Sequence, residues 1–268
     1  MNKKFFSFMM IGLLISLLAA CGTASSNEEG QGSSTSDTPE KKTKLVMGTS
    51  ADYPPFEFID TANGSEFVGF DIDLATYITE QLGYELEIRD MAFDGLIGAL
   101  QADRVDFVAS SMSATEERKK NVDFSEIYFM SGEMLVTLKG SGIESAEDLA
   151  GKAVGVQLGS IQEDTANELS EEMADLEVKK LNKVPELIQE LKSNRIDAIV
   201  LDQSVAEGFL AKSEDLAGIL LSEDAAGTAI AFPKGSELTE EFNQVILEMK
   251  ENGELDKLVE KWIAGEGQ

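Results

Sequence analysis

The sequence predicts an α/β fold: parallel sheets covered by helices and arranged as two similar lobes. Three observations carry that expectation. Segments with strand character alternate with helical ones along most of the chain, the pattern of parallel sheets with crossover helices. The stretch Leu96–Ser111 echoes Leu187–Asp202. The globular part, about Leu45 to Ile263, is long enough for one large domain or two small lobes.

KLVMGTS (44–50) reads as a strand ending in a polar loop, followed by a Pro54-Pro55 turn. FVGFDIDLATYITEQLG starts with a short turn and becomes a helix, with Gly83 as its cap. YELEIRDM alternates like a half-buried strand, FDGLIGALQADR is helical, VDFVASS is a buried strand, and ATEERKKNV is helical again. Later, KAVGVQ is a strand and IDAIVL a buried strand ending at Asp202. Within the echo, Leu96/Leu187, Ile97/Ile188, Leu100/Leu191, Arg104/Arg195 and Asp106/Asp197 match, and Val105/Ile196 is conservative. Each copy reads as amphipathic helix, polar turn, buried strand. The echo puts Ser110-Ser111 and Asp202 at equivalent strand ends, where open α/β sheets gather ligands. Two such ends facing each other make a cleft.

The chain starts with Lys3 and Lys4, an apolar run Phe5–Leu18, then Ala19, Ala20 and Cys21, the only cysteine. Basic start, apolar stretch and small-residue site are the parts of a secretory signal over 1–20. Leu18-Ala19-Ala20-Cys21 resembles a bacterial lipobox, which implies lipidation of Cys21. Residues 21–43 are polar and poor in apolar side chains, a flexible linker. With 50 acidic against 22 basic residues the net charge is −28, which keeps the protein soluble and argues against nucleic acid. There is no histidine, so a Ser-His-Asp triad and histidine metal sites are excluded. With Cys21 committed to lipid, thiol chemistry and disulfides go too, and neither cofactor nor metal is expected.

Several residues have the chemistry to hold a ligand. Ser110 and Ser111 finish a strand, and Ser113 with Glu116 has capping-box spacing, so a helix is expected to start there. Free N–H groups at a helix start attract anions, and Arg118 one turn on offers a planar fork to a carboxylate. A plain capped helix with a solvated, charged face fits the same residues. Gly159-Ser160-Ile161 follows a strand, with Ser160 and Glu163 again at capping-box spacing. Asp202 is costly to bury unpaired, which suits it to an ammonium group or to capping the next helix. Tyr53, Phe56 and Phe93 suit either an apolar wall or the core.

GTSADYPPFEF, GFDIDLA, LIGALQADRVDFVASSMSATEERKKNVDFS and GKAVGVQLGSIQE resemble the polar amino-acid-binding proteins of ABC importers, the family 3 extracellular solute-binding proteins. The resemblance covers essentially all of Lys44 to Ile263. It implies a two-lobed, type II periplasmic-binding-protein-like fold with two hinge strands near Phe129 and Gly227. Lobe 1 would be discontinuous, 44–130 plus 227–268, and lobe 2 would be 131–226. The ligand α-carboxylate would meet Arg118, Ser113 and the Gly159-Ser160-Ile161 turn. The α-ammonium would meet Asp202 and Ser111, with a carbonyl near Ser110, and the side chain would lie against Tyr53, Phe56 and Phe93. One departure bears on specificity. The acid that histidine-binding members carry three positions before the tyrosine is Ser50 here, whereas Asp52 directly precedes Tyr53.

With Asp52 and Asp94 flanking the aromatic positions, a neutral ligand would leave a buried carboxylate unpaired. A cationic side chain is therefore expected, arginine before lysine; if either aspartate faces solvent, glutamine becomes the better ligand. The resemblance further implies a monomeric, palmitate-bearing lipoprotein on the outer face of the cell membrane, serving a permease and an ATPase. It implies no catalysis. The rival is a dehydratase-like enzyme on the same fold, with Asp94 or Glu57 as general acid.

Overall fold

The computed structural model describes residues 43–223 and 226–264. The leader, Cys21 and the linker up to residue 42 lie outside them. The first elements are β1 (Lys44–Thr49), β2 (Asp52–Tyr53), β3 (Glu57–Asp60), β4 (Glu66–Val68), α1 (Phe70–Gln81) and β5 (Glu85–Asp90). Then come α2 (Leu96–Gln101), β6 (Phe107–Val108), β7 (Val122–Phe124), β8 (Glu133–Leu138), β9 (Ala153–Gln157) and α3 (Ile161–Glu172). β10 (Glu177–Leu181), α4 (Val184–Lys192), β11 (Ala198–Asp202), α5 (Gln203–Lys212) and β12 (Leu216–Ser222) follow. β13 (Ala231–Pro233), α6 (Leu238–Asn252) and α7 (Glu254–Val259) end the series.

Two five-stranded sheets form, ordered β5-β1-β6-β13-β7 and β10-β9-β11-β8-β12, with β2, β3 and β4 in a small third sheet. Each large sheet has a parallel core, β5-β1-β6 in one and β10-β9-β11 in the other. An antiparallel strand, β13 or β8, extends each core. β13 arrives from far along the chain, after all five strands of the second sheet.

The echo in the sequence is an echo in space. Asp106 and Asp197 each take a backbone N–H from the middle strand of their own sheet's parallel core, Val46 N of β1 at 2.6 Å and Ala153 N of β9 at 2.8 Å. Arg104 and Arg195 each offer a carbonyl to a long basic side chain, Arg89 and Lys179, both at 2.9 Å. Gly48 of β1 faces Leu96 and Val105, and Gly155 of β9 faces the matching Leu187 and Ile196. The missing Cβ lets each helix approach that strand closely. Around that packing, Phe107, Phe232 and Phe242 form an aromatic cluster with centroids 5.0 to 6.3 Å apart that seats α6 on the first sheet. All three are fully buried, each contributing about 1.5–3 kcal/mol by burial.

One element departs from expectation. ATEERKKNV forms no α-helix, only a single 3-10 turn at Arg118–Lys120. Ser113 pairs with Thr228 in an isolated bridge, which holds the backbone extended there. The Arg118 N–H goes to Thr115, whose Oγ1 accepts it at 3.2 Å. β7 starts at Val122, leaving no room for a second turn.

Candidate ligand-binding site

The parallel strands end on a shared cavity of about 380 Å³ of empty space, its open mouth included. Ser50 follows β1, Ser110 and Ser111 follow β6, Gln157 ends β9 and Asp202 ends β11, and all of them line it. Tyr53, Glu57, Phe93, Ser113, Arg118, Ser160, Ile161 and Gln162 complete the lining. The cavity thus forms where both sheets present the carboxyl ends of their strands.

Its basic group is Arg118. Nη1 donates to the Ser113 carbonyl and Nη2 to the Gly159 carbonyl, each at 2.9 Å, so the fork ties the first sheet's side to the start of α3. The guanidinium carbon sits 5.3 Å from the Phe93 ring centroid, a cation–π contact. Burial pulls its pKa down to about 10, with Asp164 opposing, so it stays charged at neutral pH. Beside it, Ser160 caps α3 by accepting the Glu163 N–H at 3.2 Å. Glu163 in turn accepts the Gly159 N–H at 2.7 Å, and Ser160 N donates to the Gln157 carbonyl at 3.2 Å. Two amides of the expected anion turn are therefore committed. The amides of Ile161 and Gln162 stand in the first helical turn, which has no intrahelical acceptor for them.

The acidic groups lie elsewhere in the lining. Asp202 caps α5 with Oδ1, which accepts Ser204 N at 2.8 Å, Val205 N at 3.3 Å and the Ser131 hydroxyl at 2.9 Å. Oδ2 carries none of these bonds. Burial raises the Asp202 pKa to about 6 against the pull of those donors. Across the cavity the Tyr53 hydroxyl accepts the Asp202 N–H at 3.3 Å.

Glu57 is 1% exposed and lines the cavity. Its Oε1 accepts the Ser110 hydroxyl at 2.8 Å, and that hydroxyl accepts Ser50 N at 2.9 Å. Among the described residues Oε2 is buried with no hydrogen-bond partner. Burial, then Asp71, hold the Glu57 carboxyl well above the usual carboxylate range.

Ser111 adopts φ 43°, a left-handed backbone uncommon for serine. Its N–H donates to Asp71 Oδ2 at 2.6 Å, and the Tyr128 hydroxyl donates to the same carboxylate at 2.8 Å. Asp71 is fully buried, and burial raises its pKa to about 7.

Phe56, Asp52, Asp94 and Gly159 are not in the lining. Phe56 is fully buried among Tyr53, Phe70 and Phe129. Asp52 is buried but not in the lining; its Oδ1 accepts Gln157 Nε2 at 3.3 Å. Asp94, exposed, lies against Gly159, where an added Cβ would sit 3.0 Å from its own Cβ. The acidity facing the cavity thus comes from Glu57 and Asp202, not from Asp52 and Asp94.

The model of the bacterial extracellular solute-binding proteins, family 3, matches residues 45–265. The chain belongs to that family. Among similar proteins, the arginine-binding extracellular protein ArtP of Bacillus subtilis (strain 168) is 48% identical over 267 residues, covering 98% of this chain and 99% of that one. The ABC transporter glutamine-binding protein GlnH of the same organism is 35% identical, with 97% of both chains covered. An ancestral arginine-binding protein, solved with arginine and with glutamine, is 43% identical with TM-score 0.78, over 82% of this chain and 98% of that one.

The fold of this family 3 protein is therefore the two-sheet, type II binding-protein architecture, and its place of work is extracytoplasmic. Among the described residues no helix is long and apolar enough to cross a membrane. The sequence reading did not single out Ser50, Gln157 or Gln162 as site residues, and considered Glu57 only as a rival enzyme's acid. Ser50 and Gln157 follow the rule that found Ser110 and Asp202, since each stands at the carboxyl end of a parallel strand. Glu57 had a weaker signal: one carboxylate inside the apolar run YPPFEF.

Proposed function

We propose that this solute-binding protein captures a cationic L-amino acid, arginine before lysine, and hands it to the permease of an ABC importer. Glu57 carries the reading. It is a buried carboxylate in the cavity wall with one oxygen unpartnered, and a cationic side chain satisfies it. Arg118, Ser113 and the amides at the start of α3 take the α-carboxylate, while Asp202 Oδ2 and Ser111 take the α-ammonium. Tyr53 and Phe93 flank the aliphatic stem. Charged hydrogen bonds contribute about 1.5–3 kcal/mol each, so a few of them reach micromolar affinity or better.

In this proposal residues 44–130 plus 227–268 form one lobe and 131–226 the other, closing about crossings near Phe129 and Gly227. Thr228 N donates to the Phe129 carbonyl at 2.9 Å, so the two crossings lie side by side. A lipid on Cys21 holds the monomer at the outer face of the membrane. The proposal is of binding without catalysis: the two acids of the cavity wall, Glu57 and Asp202, are given roles in holding the ligand.

Glutamine is the second reading. A Glu57 held protonated by burial donates a hydrogen bond to a neutral amide, and the ancestral relative was solved with both ligands. Calorimetric titration of the protein, unfolded and refolded to strip carried-over ligand, decides between them. Arginine binding at least about 100-fold tighter than citrulline or glutamine supports the cationic reading. Equal or tighter glutamine binding overturns it in favour of the neutral ligand, and silence across all amino acids overturns both.

A further inference from the structure

We infer that Asp52 is a closure residue, whose carboxylate ties the two sheet bodies together and raises affinity for every ligand without touching one. The inference rests on the amino-acid-binding reading. Asp52 belongs to β2, beside the first sheet, and is 7% exposed. Its neighbours on that side do little to hold it charged. Ser50 Oγ donates to Oδ2 at a long 3.5 Å, while Asp90 and Glu57 are carboxylates themselves. The donors come from the opposite body. Gln157, last residue of β9, donates Nε2 to Oδ1 at 3.3 Å, and the same nitrogen reaches the Asn182 carbonyl at 3.3 Å. The start of α4 faces the carboxylate with the Lys183 charge and the Val184 N–H.

Burial raises the Asp52 pKa to about 6, and with acids on its own side the carboxylate depends on the opposite body for the donors that offset its burial. If they part, Gln157, Lys183 and Val184 leave, and water must replace them. Gln157 also lines the cavity, so the bridge runs directly behind the ligand space. Closing the bridge therefore adds to the binding free energy of any ligand that requires the closed form.

The test compares wild type with Asp52→Ala and Lys183→Glu in the full chain. Lys183 is exposed at a helix start, so the second variant folds even if the first does not. Affinities and dissociation rates are measured for arginine, lysine and glutamine, with small-angle scattering on the ligand-free protein. The expected result is one common loss of about tenfold for all three ligands in each variant, carried by faster dissociation, with a larger radius of gyration in the ligand-free state. A loss for arginine tenfold greater than for glutamine would make Asp52 a direct ligand contact and overturn the inference, as would an unchanged affinity in Lys183→Glu. Should wild type bind no amino acid, the functional reading fails, yet scattering still decides the bridge: unchanged dimensions in both variants reject it.

Discussion

Glu57 has one oxygen fixed by the Ser110 hydroxyl and the other buried without a partner. Such an oxygen is costly to leave unmet, so a ligand that supplies a donor gains most. Glu57→Gln keeps the volume and removes the charge. Its expected effect is a loss of arginine affinity of about 100-fold or more, roughly 3 kcal/mol for an uncompensated charged hydrogen bond, while citrulline binding changes little. Calorimetry on both ligands checks it, and an equal loss for both would place Glu57 away from the side chain. Asp202 adds a pH dependence. Burial raises its pKa to about 6 without ligand, and pairing with an ammonium lowers it, so binding releases a proton. The sign for Asp202 follows: its contribution to affinity is full above about pH 6 and falls by up to about tenfold per pH unit below it. Titrations at pH 6 in buffers of different ionisation enthalpy read the released proton. At this scale, residue type and strand-end position are enough to put Ser111 and Asp202, with Arg118 beside them, on the cavity wall. Asp52 lies outside the lining, because adjacency to Tyr53 does not say which way a side chain turns in a two-residue strand.

Among the elements, the YPPFE hairpin and the GFDID helix start are one unit. Phe70 N donates to the Pro55 carbonyl at 3.0 Å and Asp71 N to the Phe56 carbonyl at 2.9 Å, so the hairpin supplies acceptors for the first turn of α1. Gly69 makes this possible. Its φ of 131° belongs to a region kept for glycine, and a Cβ there would fall 2.2 Å from the Phe56 carbonyl oxygen. Gly69→Ala is expected to lower stability by about 3 kcal/mol or more, read by urea unfolding; a loss under about 1 kcal/mol would mean that hairpin and helix are not rigidly joined. Because Asp71 sits two residues on and holds Ser111 in its left-handed turn, the damage extends to the cavity. The α/β alternation, the echo and the Ser160 cap were all legible, since each depends on local periodicity or on a side chain three residues from its amide. The Ser113 helix was not. Its capping spacing is genuine, but Thr228, more than a hundred residues away, claims the backbone there, and no local pattern reports a long-range bridge.

For the whole molecule, the decisive quantity is a net charge of −28. Charge of that size keeps a protein soluble, but it also sets up a field that attracts cations and speeds their encounter. The two roles separate by salt. At about 0.01 M salt the screening length is roughly 30 Å, comparable to the protein itself, and at physiological strength it is about 8 Å. If the acidic surface serves capture of a cationic amino acid, the association rate of arginine should fall several-fold, about 3- to 10-fold, between those conditions. Citrulline, nearly the same shape without the side-chain charge, should associate at a rate almost independent of salt. Dissociation of both should vary little, because the buried contacts at Glu57 and Arg118 are screened far less than surface charge. Stopped-flow measurement of both ligands across that range tests the field directly. Parallel salt dependence for arginine and citrulline would assign the charge to solubility alone and leave selection entirely to the cavity.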